Sequence, residues 1–244
     1  MTRPQLVVQE MAGRHNADLE GTSARLIRNG SWKKQRIVRI IPAGDSIPAK
    51  VVLSWLHLGF PPNNGVHTVL AMGMEIGDAY TSAIESILAH PELSQWEYVC
   101  SIEHDNMPPS DGIIQLVEAM ETHPEFAAIS GSYFTKGEGG VWQGWGDPRD
   151  PLNNFRPQVP VTGTVQEVCG LGQGFCLYRL GMFKDTRLRR PWFKTLKGKD
   201  GLATQDLYFW TDARKYGYRC AVCVDCKVGH YDLKGEFGPP DMVW

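Results

Sequence analysis

From residue 36 onward, short β-branched runs alternate with amphipathic stretches, and that alternation restricts the chain more than any other feature. Arg36-Ile37-Val38-Arg39-Ile40-Ile41 reads as a buried strand closed by Pro42 and Gly44. A helix is expected from Pro48 to Leu58, and a strand from Val66 to Met72. Residues 76–88 set Ile76, Tyr80, Ala83, Ile84, Ile87 and Leu88 on one helical face. Tyr98 to Ile102 is a compact strand, and a helix capped by Ser110 aligns Ile113, Leu116, Val117 and Met120. Further strands are expected over Ala127–Phe134, Val165–Leu180 and Tyr218–Val228, with a helix from Thr204 to Tyr216 stopped by Gly217. Such alternation favours an α/β sandwich, a mainly parallel central sheet with helices on both faces. In that architecture ligands bind beyond the carboxyl ends of the strands.

Size and charge narrow the options. The 244 residues suffice for one core, read here as a 36–244 domain behind a 1–35 extension. A formal charge of −2 gives no general support for nucleic-acid binding. No run approaches a membrane helix and no secretory signal is evident, so a cytoplasmic location is expected and the six cysteines are read as thiols.

Chemistry-bearing residues gather at the expected strand ends. Glu103 and Asp105 follow the Tyr98–Ile102 strand at i and i+2, where extended backbone turns both carboxylates the same way. Oxygen ligands of this kind suit Mg2+ or Mn2+, although loop acids at a strand end have the same pattern. Gly170-Leu171-Gly172-Gln173-Gly174 permits close backbone approach, to a ligand or to another strand. Asp206 stands in a first helical turn, where the dipole also favours acids. Trp142, Trp145, Asn153 and Asn154 crowd a loop that either binds sugar or packs on itself. Arg189, Arg190, Lys197 and Lys199 are read as a solvated loop. Cys220, Cys223 and Cys226 lie on one strand; alternation sends 220 and 226 to one face and 223 to the other, which disfavours a metal cluster.

In order, the Glu103-His104-Asp105 turn, the Thr204-Gln205-Asp206 helix start and the Val228-Gly229-His230 ending resemble the GT-A-fold glycosyltransferases, over residues 36–232. The resemblance implies a GT-A-like three-layer sandwich and metal-dependent transfer from a nucleotide-sugar donor, UDP- or GDP-linked, to an acceptor. It implies Mn2+ or Mg2+ held by Glu103, Asp105 and His230. Donor contacts fall to Pro42, Ala43, Asp45, Glu103 and Asp105, acceptor contacts to Gly172, Gln173, Gly174, Trp142 and Trp145, and catalysis to Asp206. A nucleic-acid acceptor is compatible with it. Two departures, Glu103 in place of Asp and Gln205 in place of an acid, also fit a catalytically weak nucleotide-sugar or glycan-binding module. A nucleotidyltransferase would want a Gly-rich basic loop where Pro42-Ala43-Gly44-Asp45 stands.

Overall fold

The structure, a computed structural model, describes residues 35–61, 65–135, 140–150, 155–198 and 201–231. Most of the extension, with Asn153, Asn154 and Lys199, lies outside these residues.

In chain order the elements are β1 (Ile37–Ala43), α1 (Ala49–Leu56), β2 (Val66–Met72), α2 (Ile76–Ala89), β3 (Tyr98–Ile102), β4 (Asn106–Met107), α3 (Gly112–Thr122) and β5 (Ala128–Ser132). There follow β6 (Gly144–Trp145), β7 (Val165–Val168), β8 (Gly170–Leu171), β9 (Phe175–Arg179), β10 (Leu196–Gly198), β11 (Gly201–Ala203), α4 (Gln205–Ala213), β12 (Cys220–Lys227) and β13 (Gly229–His230). Seven strands form one sheet in the order β2-β1-β3-β9-β5-β12-β7. Strands β2, β1, β3, β5 and β12 run the same way, while β9 and β7 run against them. The sheet is thus mainly parallel, with one reversed strand wedged into its middle.

Side-chain alternation divides the core in two. Val38, Ile40, Val99, Cys176, Tyr178 and Val222 face one layer, which holds Tyr80, Ala83, Ile84 and Ile87 of α2 and Phe209 and Trp210 of α4. Ile37, Ile41, Cys100, Ile102, Leu177 and Ala221 face the other, against Ile113, Leu116, Val117 and Met120 of α3. Helices therefore cover both faces, and the fold is the GT-A-like three-layer α/β sandwich. Burying such side chains contributes roughly 1.5–3 kcal/mol each.

Several boundaries differ from the sequence expectation. β1 runs through Pro42 to Ala43 instead of ending at Ile41. Its pairing with β3 stops at Ile40, so the missing Pro42 N–H leaves no ladder rung empty on that side. Asp111, not Ser110, occupies the cap position of α3, and its carboxylate accepts from the Gln115 amide. The Glu75 carboxylate caps α2 by accepting from the Gly77 and Asp78 N–H groups. The expected facing of the cysteines also changes. Pairing with β5 slips between Cys223 and Lys227, and this irregularity breaks the alternation. Cys226 joins the α3-side core with Cys223, while Cys220 stays opposite. Among the described residues no helix is long and apolar enough to cross a membrane.

Candidate functional site

Strands β1, β3 and β5 end along one rim of the sheet, and the reversed β9 begins on it. The turn after β3 and the turn before β9 therefore meet: the Glu103 N–H donates to the Gly174 carbonyl at 3.0 Å. Two-residue β13 then pairs antiparallel with β4, setting His230 opposite Asn106 and Gly229 opposite Met107. The Tyr231 N–H closes this ladder on the Asp105 carbonyl at 2.6 Å. From the other side α1 supports the segment, with Trp55 Nε1 donating to the Asn106 carbonyl at 2.9 Å and Ser54 Oγ donating to that of Pro108 at 3.0 Å.

The outcome is a close pair. Asp105 Oδ2 and His230 Nε2 stand 3.6 Å apart, both largely buried. His230 Nδ1 lies 2.8 Å from the Phe134 carbonyl oxygen. A carbonyl only accepts, so Nδ1 carries the hydrogen and Nε2 is the nitrogen turned to Asp105. Glu103 lies on the same turn but is directed elsewhere: its Oε1 accepts from the Tyr80 hydroxyl at 3.2 Å. Among the described residues no group of three His, Cys, Asp or Glu side chains is arranged to hold a metal. Of the three expected ligands, Asp105 and His230 form the close pair, and Glu103 has one oxygen hydrogen-bonded to Tyr80.

Tyr133, just past β5, ties the site together and was not singled out from sequence. Its hydroxyl accepts from the Gly174 N–H at 2.8 Å, and its ring meets His230 edge-on at 5.7 Å between centroids. Burial pushes this hydroxyl's pKa far up, and the nearby charges of Glu103 and Asp206 add to the shift. Asp206, at the start of α4, is buried, and desolvation raises its pKa against the hydrogen bonds from Thr204 and the Leu207 N–H. His230 thus meets the Tyr133 ring, and the charges of Glu103 and Asp206 act on its hydroxyl. The only cue to Tyr133 in the sequence was its position directly after a strand.

The acceptor candidates separate. Trp142 is 3 % exposed, and its indole N–H donates to Ser132 Oγ at 2.9 Å, so it belongs to the core rather than to a ligand surface. Trp145 is half-buried. Gly172 and Gly174 are glycines because protein fills the space: a Cβ at 172 would lie 2.2 Å from Tyr133 Oη, and one at 174 would lie 2.6 Å from Asn106 Oδ1. The Gln173 carbonyl accepts from Ser101 Oγ at 2.7 Å. Pro42 and Ala43 end β1 on the same rim, buried, with Asp45 exposed beyond them. Two cavities, of about 600 Å³ beside α3 and about 290 Å³ beside the β7 edge, are lined by none of these residues.

Comparison with known proteins gives a likeness in fold. No family model matches the chain, and no curated protein does. Among solved structures, the crystal structure of A197 from STIV is similar, with a TM-score of 0.57 and 17 % identity, covering 81 % of this chain and 86 % of that one. At that identity the likeness concerns the fold alone.

Proposed function

We propose that this chain is a metal-dependent glycosyltransferase that moves a sugar from a nucleotide diphosphate to an acceptor hydroxyl or amine. The observation that carries the reading is the Asp105–His230 pair, 3.6 Å apart on the ligand rim of a GT-A-like sheet. One carboxylate oxygen and one imidazole nitrogen suit Mn2+ better than Mg2+, which prefers oxygen ligands throughout. Asp105 and His230 would hold such an ion between them, and donor phosphate oxygens would complete its shell. When bound, such an ion stabilises charge on the departing nucleotide diphosphate.

The protein's own groups supply the remainder. The Phe134 carbonyl holds the imidazole with Nε2 toward Asp105. The donor-base side falls to the β1 end, where Asp45 is exposed beyond Pro42 and Ala43, and the acceptor side to half-buried Trp145, since the Gly172–Gly174 turn is packed by protein. The anomeric carbon loses its bond to the diphosphate oxygen and gains one to the acceptor, whose proton passes to Asp206. Desolvation, which raises the Asp206 pKa, makes that carboxylate a stronger base than an exposed one. The Glu103–Tyr80 hydrogen bond, which draws one acid away from the pair, favours a second reading, a nucleotide-sugar-binding module without turnover.

A thermal-shift screen of UDP- and GDP-sugars with Mn2+ or with EDTA tests the proposal. A donor at 100 times its Kd adds about 2.7 kcal/mol of stability. This gain should require the ion and disappear in Asp105→Ala and His230→Ala. Equal stabilisation in EDTA, or full transfer by Asp105→Ala, refutes the metal mechanism. Ion-dependent binding without product from any donor selects the module instead.

A further inference from the structure

The net charge of −2 conceals an uneven distribution. Residues 184–194 pack against the end of α4 and the turn that follows it. The Tyr218 hydroxyl donates to Asp185 at 2.9 Å, the Arg189 N–H donates to Asp212 at 2.9 Å, and the Arg187 guanidinium lies over the Tyr216 ring at 5.3 Å. These contacts gather Lys184, Arg187, Arg189, Arg190, Arg214 and Lys215 around two carboxylates, Asp185 and Asp212, and Lys194 follows on the same segment, against the start of α2 where Glu75 is the neighbouring acid. The rest of the chain therefore carries an acidic excess. Lys184, Arg187, Arg190, Lys194 and Lys215 are all exposed.

We propose that this basic face binds the phosphodiester backbone of a nucleic acid. The inference goes beyond the transferase reading and does not depend on it. Three arginines lie over aromatic rings: Arg187 over Tyr216, Arg189 over Tyr208 at 3.4 Å and Arg190 over Trp192 at 4.4 Å. Stacking orders a guanidinium before it meets an anion, and its planar fork matches a phosphate. Arg187 spans Asp185 through short hydrogen bonds, whereas Lys215 meets Asp212 only at 3.6 Å, beyond hydrogen-bond reach, so the exposed cations more available to phosphate are Lys184, Arg190, Lys194 and Lys215. The rings lie beneath guanidinium groups and Trp192 is 1 % exposed, which favours contact with backbone over stacking with bases. A lipid surface fits less well. It would require an apolar face beside the charge, and the exposed large apolar side chain among the gathered residues is Tyr216, at 38 %. Asp206 is near the opposite end of α4, whose nine residues span about 13 Å, so bound nucleic acid would lie within one short helix of the candidate site.

The test is fluorescence anisotropy of the full chain with a labelled 20-base-pair DNA duplex between 50 and 200 mM NaCl. Four phosphate contacts give a slope of about −3.6 in log K against log salt. The triple variant Lys184→Glu/Arg190→Glu/Lys215→Glu should weaken binding at 50 mM by about 30-fold and lower the slope by about three, in line with a unit of slope per lost phosphate contact. The charge-neutral Lys184→Gln/Arg190→Gln/Lys215→Gln should weaken it less while lowering the slope equally. All three substitutions are at exposed positions; losing the Arg190 ring contact and the Lys215–Asp212 pair should lower Tm by only a few degrees, and circular dichroism should show the fold intact. Absence of binding at 50 mM NaCl, or binding indifferent to both triple variants, overturns the proposal. Charge-dependent binding to vesicles containing 30 % phosphatidylserine, with none to the duplex, overturns it in favour of a membrane surface. Stabilisation by nucleotide sugars is read separately, so either proposal can fail without the other.

Discussion

The fit between Gly172 and Tyr133 gives a prediction that can be worked through from distances. A Cβ at residue 172 would stand 2.2 Å from Tyr133 Oη and 3.1 Å from its Cζ. Ordinary contact begins near 3.4 Å, so the tyrosine must retreat by more than 1 Å. It is 4 % exposed, and its hydroxyl holds the Gly174 N–H at 2.8 Å, so there is little room to retreat. Gly172→Ala should therefore cost about 2–3 kcal/mol, as overpacking does. Tyr133→Phe alone leaves the Gly174 N–H unpaired and should cost about 1–3 kcal/mol. In the double variant the closest clash is gone and a tight Cζ contact remains. Adding the alanine should then cost only about 1 kcal/mol, a coupling of about 1–2 kcal/mol. Urea unfolding of the four proteins measures it, as midpoint shifts at constant m-value. Additivity within about 0.5 kcal/mol would refute the reasoning. The same clash presses on the ring that meets His230, so Gly172→Ala should also weaken ion-dependent donor binding.

Three further perturbations have defined outcomes. Asp206 has its pKa raised above 3.8, so between 3.8 and its folded value the native state holds more protons than the unfolded chain, and stability falls as pH rises. Asp206→Asn keeps an acceptor for the Leu207 N–H; it should be more stable than the parent at pH 7, converge with it below pH 3.8, and lose about 10²–10⁴-fold in transfer rate, all checked by unfolding across pH and a turnover assay. At Gly131 a Cβ would meet Val228 at 2.5 Å, Phe175 at 3.0 Å and the Cys226 carbonyl at 3.1 Å; Gly131→Ala should cost about 3 kcal/mol in urea unfolding. Gly217 has φ 83° with open space around it, so Gly217→Ala should lose about 1 kcal/mol from backbone strain alone, seen as a lower Tm without change in ion binding.

The legible parts of the sequence are those determined by local pattern. The β2 and β3 boundaries agree with the expectation, and α2 extends one residue beyond it, because β-branched runs and a 3.6-residue period identify such elements without reference to neighbours. The reversal of β9 was not legible. It depends on which strands a glycine turn joins, and a run such as Phe175–Arg179 has no mark of direction. The facing of Cys226 was misread because alternation holds only in regular pairing, and the irregularity after Cys223 lies in the partner strand's register. Trp142 had two readings, sugar contact or packing within the protein, and the second holds: its indole N–H pairs with Ser132, ten residues earlier. At the site, Asp105 and His230 stood out because both follow strand ends. The direction of Glu103 depends on Tyr80, on a different helix, and Tyr133 carries no motif.

The two-rung ladder between β4 and β13 has a consequence for synthesis. The seven-stranded sheet has its last strand once Lys227 has been added, yet the imidazole that faces Asp105 arrives three residues later. A growing polypeptide would thus possess its whole scaffold while half of the Asp105–His230 pair was still missing, and a fragment ending at Lys227 would separate the architecture from the candidate site.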